Sequence, residues 1–250
     1  MKKWSAICLA VALCLCLCGC KSSDYSKAVA LMQEENYLEA LELFRSLGDY
    51  EDAQEQSVTC VCRLAVAYAE KGKLTDAVAL LTEYYQYPQA QSALMEIFMT
   101  EAAENYLPNV EAAMDSWNEY LNVWIKMFLE EGKKTAVGQS VKIPKVDYNA
   151  PQIISLQRSM EKANKTMELL RGAYHEDVIK VCGDEIGNLI QTVFNSAEVI
   201  DNQFRNLDSW AGAFLFYGLQ DNNATKANNT LIKAMYDIED ALEILMDTRE

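Results

Sequence analysis

From Val110 to Leu245, apolar residues recur at alternating spacings of four and three. Val110, Met114, Trp117, Leu121, Trp124 and Phe128 form the first series. A second runs Ile153, Leu156, Met160, Ala163, Met167, Leu170, Tyr174. A third runs Ile186, Ile190, Val193, Ala197, Ile200, Phe204, Leu207, Ala211, Phe214, and a fourth Ala224, Ala227, Leu231, Ala234, Ile238, Ala241, Leu245. A strand presents every second residue to one face, so this spacing excludes strands. It places each series along one side of a helix packed nearly parallel to others. Composition points the same way. Only 10 Gly and 4 Pro occur in 250 residues, about half the usual share and too few turn-formers for many short strands.

The four series predict a four-helix bundle over 108–250. Pro108 marks the start of its first helix, Gly132 lies near that helix's end, and Pro151 precedes the second. The phase slips at Cys182-Gly183-Asp184. Gly183 as a helix stop and Asp184 as the next N-cap explain the slip; a long bent helix with a stutter is the competing arrangement. Gly172, Gly187, Gly212 and Gly218 fall inside or near the ends of the series, where kinks or close helix contacts are expected. Residues 133–150 break the pattern. They carry Lys133, Lys134, Lys142 and Lys145 against Asp147 alone, with Val137, Val141, Ile143, Val146 and Tyr148 available to dock. Loops of this length in compact helical domains are uncommon and often functional; a crossover lying along the bundle is the favoured arrangement.

Upstream, the chain repeats at an offset of 37 residues. Ala28, Leu31, Tyr37, Ala40, Phe44 and Leu47 lie over Ala65, Tyr68, Leu74, Ala77, Leu81 and Tyr84; Tyr50 and Ala53 lie over Tyr87 and Ala90. A period of this length implies stacked helical hairpins. Alanines at 28/65 and 40/77 let antiparallel helices approach, and larger residues at 31/68 and 44/81 fill the space between them. Gly72 sits where the first helix of the second copy must end. The pattern resembles the tetratricopeptide repeat: Leu64, Ala65, Tyr68, Gly72, Ala77 and Leu81 stand at that family's signature spacing. The first copy departs from it with Glu35 where the family often has Gly. Its ending, Leu47-Gly48-Asp49-Tyr50, is similar to repeats of Gram-positive surface proteins. The resemblance covers 24–95, and Ala113 and Trp117 mark at best a degenerate third copy. It implies an all-α body of two tetratricopeptide-like hairpins (26–107) before the bundle, with helix-one side chains presented to a partner. Lys27, Arg63 and Glu70 have no evident packing duty on those helices. Tyr85, in Tyr84-Tyr85-Gln86-Tyr87, answers Gly48 and is expected to be free for contact. Lys142, in the long loop, completes the candidate partner-binding residues.

The N-terminus carries a different signal. A basic Met1-Lys2-Lys3 precedes an apolar run from Ile7 to Leu17 that is too short to span a bilayer. Leu17-Cys18-Gly19-Cys20 then resembles the lipobox of bacterial lipoproteins. The resemblance implies a removed signal peptide (1–19), a short tether (20–25), and diacylglycerol and N-acyl (palmitate-type) lipid on Cys20. That places the chain on the outer face of a cell membrane, with the repeat ending leaning toward a Gram-positive envelope. Two or three acyl chains suffice for stable attachment. Cleavage removes Lys2 and Lys3, leaving 20 basic against 37 acidic side chains, a net −17. Such a body is repelled by nucleic acid and anionic lipid. Cys60 and Cys62 point apart on a helix; a bridge from Cys182 to one of them would leave an odd thiol, so buried thiols are the favoured state.

Chemistry is sparse. One histidine, His175, excludes sites that need two imidazoles. With Cys182 it supplies two ligands, short of a zinc site, so no metal and no cofactor beyond the lipid is expected. Glu34-Glu35, Glu130-Glu131 and Asp184-Glu185 are adjacent on helices and diverge. Phosphate loops and nucleophile motifs are missing. The sequence therefore points to a non-catalytic, membrane-anchored interaction or scaffold module with an envelope protein partner. A ligand-binding or sensor lipoprotein, recognising a small molecule or cell-wall fragment, is the alternative.

Overall fold

A computed structural model describes residues 21–135, 137–213 and 225–248. The chain is all-α, with no strand among the described residues. It divides into two compact units between Leu94 and Met95. Residues 95–106, placed with the repeats by the sequence pattern, cluster with the second unit.

The first unit begins with α1 (21–33). It continues with α2 (Tyr37–Leu47), α3 (Ala53–Glu70), α4 (Leu74–Thr82) and the opening turns of α5 (Pro88–Thr100). Helix α2 packs on α3, and α3 on α4. The repeat-equivalent alanines are buried within this packing. Ala28 and Ala65, Ala40 and Ala77, and Ala53 and Ala90 are all fully buried, as are Phe44 and Leu81. With a methyl group at the closest points, the backbones approach until neighbouring large side chains meet.

The two copies also end their first helices alike. Gly72 takes a left-handed φ of 72°, and the Lys73 N–H donates to Tyr68 O at 2.9 Å. One period earlier, Asn36 N–H donates to Leu31 O at 2.9 Å across Glu35, whose φ is 60°. The same turn is therefore built twice, once on a residue that pays a steric penalty of about 1–2 kcal/mol. Glu35→Gly relieves that penalty but gives back about 0.5–1 kcal/mol of unfolded-chain entropy, for an expected net gain of up to about 1 kcal/mol. Gly72→Ala is expected to lose about 1 kcal/mol. Paired urea titrations of the two variants check both signs.

Helix α1 is tied in by Tyr25. Its ring meets Phe44 and Tyr50 edge-on, at 5.8 and 5.9 Å, and its hydroxyl donates to Asp52 Oδ1. The bond favours neutral Tyr25 and ionised Asp52. Accepting from Tyr25 and then Gln56 holds the Asp52 carboxyl below its usual value; donating to Asp52 pushes the Tyr25 hydroxyl up to about 12. A lowered carboxyl contributes stability above its unfolded pKa that is lost as pH falls through the folded value. A raised phenol contributes below 10.0, its ordinary value, and that contribution is lost as pH rises through about 12. Tyr25→Phe is expected to flatten both limbs of the stability–pH curve, the acid limb incompletely because Gln56 still donates to Asp52. Melting curves across pH 2–12 test this.

In the second unit a six-residue π-helical segment, Glu101–Tyr106, leads without a loop into α6 (Leu107–Lys134). Pro108 thus opens no new helix after a break, as the sequence pattern suggested; the chain is helical from Pro88 to Lys134. Proline lacks an N–H and its ring collides with the carbonyl four residues back. The wider π turn relieves that collision, and Leu107 N–H accordingly reaches five residues back to Ala102 O. With no turn there, Ala113 and Trp117 lie buried within one long helix, not in the second helix of a third hairpin.

Helices α7 (Pro151–Ala173), α8 (Glu176–Arg205), α9 (207–213) and α10 (Thr225–Asp247) follow. Helix α6 packs along α7, α8 along α10, and α7 more sparsely on α8. Every member of the second apolar series is buried. At Gly183 the backbone leaves helical geometry (φ 82°, ψ 171°), which kinks α8 where the sequence phase slips. The kink brings Ile179 onto Gly187, where an added Cβ would lie 3.0 Å from an Ile179 methyl. Gly172 and Gly212 face open space. The expectations for Cys20, the signal segment, Phe214, Gly218 and Ala224 lie outside the described residues.

Candidate functional site

The residues singled out in the sequence occupy separate places. Lys27 lies on α1, and Arg63 and Glu70 lie on α3. All three are exposed and form no salt bridge among the described residues. Tyr85 is not the free residue the repeat register suggested. It is half-buried and engaged, and its carbonyl accepts from Gln91 Nε2 at 2.7 Å. The reason is the neighbouring turn, which folds back on itself. Tyr84 Oη accepts from Arg45 Nε at 2.7 Å and its ring lies tilted at 6.1 Å from that of Tyr87, tying α2 to the turn after α4. Cys60 and Cys182 are buried thiols and Cys62 is half-buried; burial pushes the Cys60 thiol up to about 11. His175 is exposed at the head of α8, 4.0 Å from Asp177.

Several concave surfaces occur among the described residues of the second unit. The first, about 700 Å³, runs between α7 and α8 toward the long loop. Leu156, Met160, Phe204 and Leu207 give it an apolar floor. Its polar wall is already ordered: Asn164 Nδ2 donates to Asp201 Oδ1, and Arg205 Nε donates to Asp201 Oδ2, each at 2.7 Å. A smaller recess of about 160 Å³ continues past Asn164 to Arg171. Arg171 donates to Phe194 O and lies 5.6 Å from the centre of that residue's ring. Behind this wall, Tyr106 of the π segment is wholly buried, and among the described residues its hydroxyl has no hydrogen-bond partner. Desolvation, then the charge of Asp201, push that hydroxyl well above its usual pKa, so it stays protonated as a donor. Amide, carboxylate and guanidinium held at fixed positions over an apolar floor suit recognition of an elongated ligand. Sequence patterning missed this wall. The signal lay one residue past the apolar series: Asn164 follows Ala163, Asp201 follows Ile200, and Arg205 follows Phe204.

The second surface lies between the last turns of α6 and the loop, with a volume of about 760 Å³. Val123, Met127, Ile143 and Pro144 give it apolar walls; Lys126, Lys134, Lys142 and Lys145 rim it together with Glu130 and Glu131. Among the described residues, hydrogen bonds anchor the loop near its second end, and Val141 lies against α6 at Gly132. Trp124 Nε1 donates to Pro144 O at 3.0 Å, Val146 N–H to Asp208 Oδ1 at 2.9 Å, and Asp147 N–H to Tyr120 Oη at 2.6 Å. Val146 is buried by these straps, while Val137 and Ile143 are exposed.

Compared with known proteins, the chain matches no family model, no curated protein and no solved structure. Among the described residues no helix is long and apolar enough to cross a membrane.

Proposed function

We propose that this protein is a lipoprotein anchored on the extracytoplasmic face of the cell membrane, acting as a non-catalytic interaction or scaffold module that binds an envelope protein through tetratricopeptide-like hairpins. One observation carries the reading. The small residues repeated at 37-residue spacing are all buried, while Lys27, Arg63 and Glu70 on the helix-one elements are left to solvent. Buried repeat positions with exposed, charged neighbours on the same helices suit recognition of an envelope protein. The lipobox-like Leu17-Cys18-Gly19-Cys20 supports the anchor, and the short apolar run before it supports a removed signal. Intact-mass analysis of the membrane-extracted protein is expected to give a chain starting at Cys20 with two or three acyl groups added. Photocrosslinkers at positions 27, 63 and 70 are expected to trap one reproducible protein, and Lys27→Glu with Arg63→Glu to lose it. An unmodified Cys20 removes the anchor; three silent crosslinking positions remove the interaction surface.

A second reading has its own support in the α7–α8 groove. Its ordered Asn164–Asp201–Arg205 wall and apolar floor favour a small molecule or cell-wall fragment as ligand. Under that reading, Asp201→Asn weakens ligand binding while the hairpin crosslinks persist.

A further inference from the structure

The end of α6 and the outer half of the loop depart from the rest of this acidic chain. Lys126, Lys133, Lys134, Lys142 and Lys145 gather there. Glu130 and Glu131 neutralise two of them, at 2.6 Å from Lys133 and 4.0 Å from Lys134. Lys126, Lys142 and Lys145 form no salt bridge among the described residues. Between and beside these cations stand exposed apolar side chains: Met127, Ile143 and the wholly exposed Val137.

We propose that this surface docks the second unit onto the anionic headgroups of a phospholipid bilayer. Four features select that occupant. Every cation is lysine, a point charge on a long flexible stem; lysine suits a diffuse field of phosphates, whereas planar bidentate recognition calls for arginine. The stems can lie along apolar surface while their ammonium groups stay at the headgroup level. Val137 stands beside Gly138, which turns the chain at φ 93°, and projects without protein around it; such a crest enters a soft interface and offers little to a rigid one. The straps at Pro144, Val146 and Asp147 hold one end of the loop to the helices, so the crest has a fixed base. The chain's overall negative charge does not forbid contact, because charges more than about 8 Å away are screened at physiological salt.

This inference uses the membrane reading only to bring the chain near a bilayer. The test reads the loop itself: hydrogen exchange of amides 137–143 in the full chain, titrated with vesicles. On vesicles containing phosphatidylglycerol, exchange is expected to slow about tenfold, with little change on phosphatidylcholine alone. Lys142→Glu with Lys145→Glu is expected to raise the lipid concentration for half-protection at least about tenfold. Val137→Ser with Ile143→Ser, both at exposed positions, is expected to do the same while the melting temperature stays unchanged. Equal exchange on the two vesicle types overturns the proposal. So does stronger protection by soluble polyglutamate than by vesicles, which would assign the surface to an acidic protein. Failure of the anchor reading is separate, since it appears as an unmodified Cys20 in the mass spectrum.

Discussion

Trp117→Ala is expected to destabilise the second unit by about 4 kcal/mol, near the upper end for large-to-small core changes. Trp117 is wholly buried, stacked 4.7 Å from Trp210 and 5.9 Å from Tyr120, and Trp210 in turn meets Phe204 at 5.3 Å. Removing the indole empties the centre of this stack, and helices on both sides limit collapse into the space. Trp117→Phe has a different outcome. Among the described residues the Trp117 indole N–H has no hydrogen-bond partner, and a buried unmade donor costs about 1–3 kcal/mol. Phenylalanine removes that donor while keeping most of the stack, so its net loss is expected below about 1.5 kcal/mol. Trp124→Phe is the control, because Trp124 donates to Pro144 O and its loss also loosens the loop. Urea unfolding followed by circular dichroism ranks the three. If Trp117→Phe costs as much as Trp117→Ala, the packing described around this side chain is incorrect.

Ala40→Leu and Ala77→Leu are each expected to cost about 2–3 kcal/mol, and by similar amounts. Both alanines are wholly buried, on the two helices that pack against α3. Three added carbons have no room and must push the helices apart. Equal losses at two positions 37 residues apart are the signature of a true structural repeat. A pair of unrelated hairpins would respond unequally. Leu38→Ala, on the same helix as Ala40 but half exposed, should change stability by less than about 0.5 kcal/mol. Thermal and urea unfolding of the three variants give the comparison directly.

Much of this architecture was legible in the pattern of apolar residues. The second series, Ile153 to Tyr174, is buried at every position. The first was read less completely. Ala113 and Tyr120 are buried beside it, while Met114 and Phe128 remain half-buried. A helix inside a packed unit buries a stripe wider than one seam, and the last turns of α6 extend beyond full coverage. The slip at Gly183 was visible because a phase change in a regular series has few causes. Glu35 was visible as an oddity of the repeat; its left-handed φ supplies the physical reason that glycine is preferred there.

Other features arise only in the tertiary structure. A rule about proline is local, so it marked Pro108 as a boundary; that the preceding turn widens to admit the ring and the helix continues, with α7 packed against the π segment, is seen only in the fold. The register of the repeat left Tyr85 with no counterpart large enough to pack, yet the fold of its own turn engages it. The groove wall needed two helices brought side by side, because Asn164 and Asp201 are 37 residues apart and each alone reads as an ordinary surface residue. Secondary structure and buried faces follow from spacing, which is a one-dimensional property, and the sequence by itself determined them here. Which polar groups meet, and which lysines and apolar side chains share one exposed surface, depends on how helices are placed beside each other. Only the tertiary structure decided that, because side chains distant along the chain interact through space within a few ångströms.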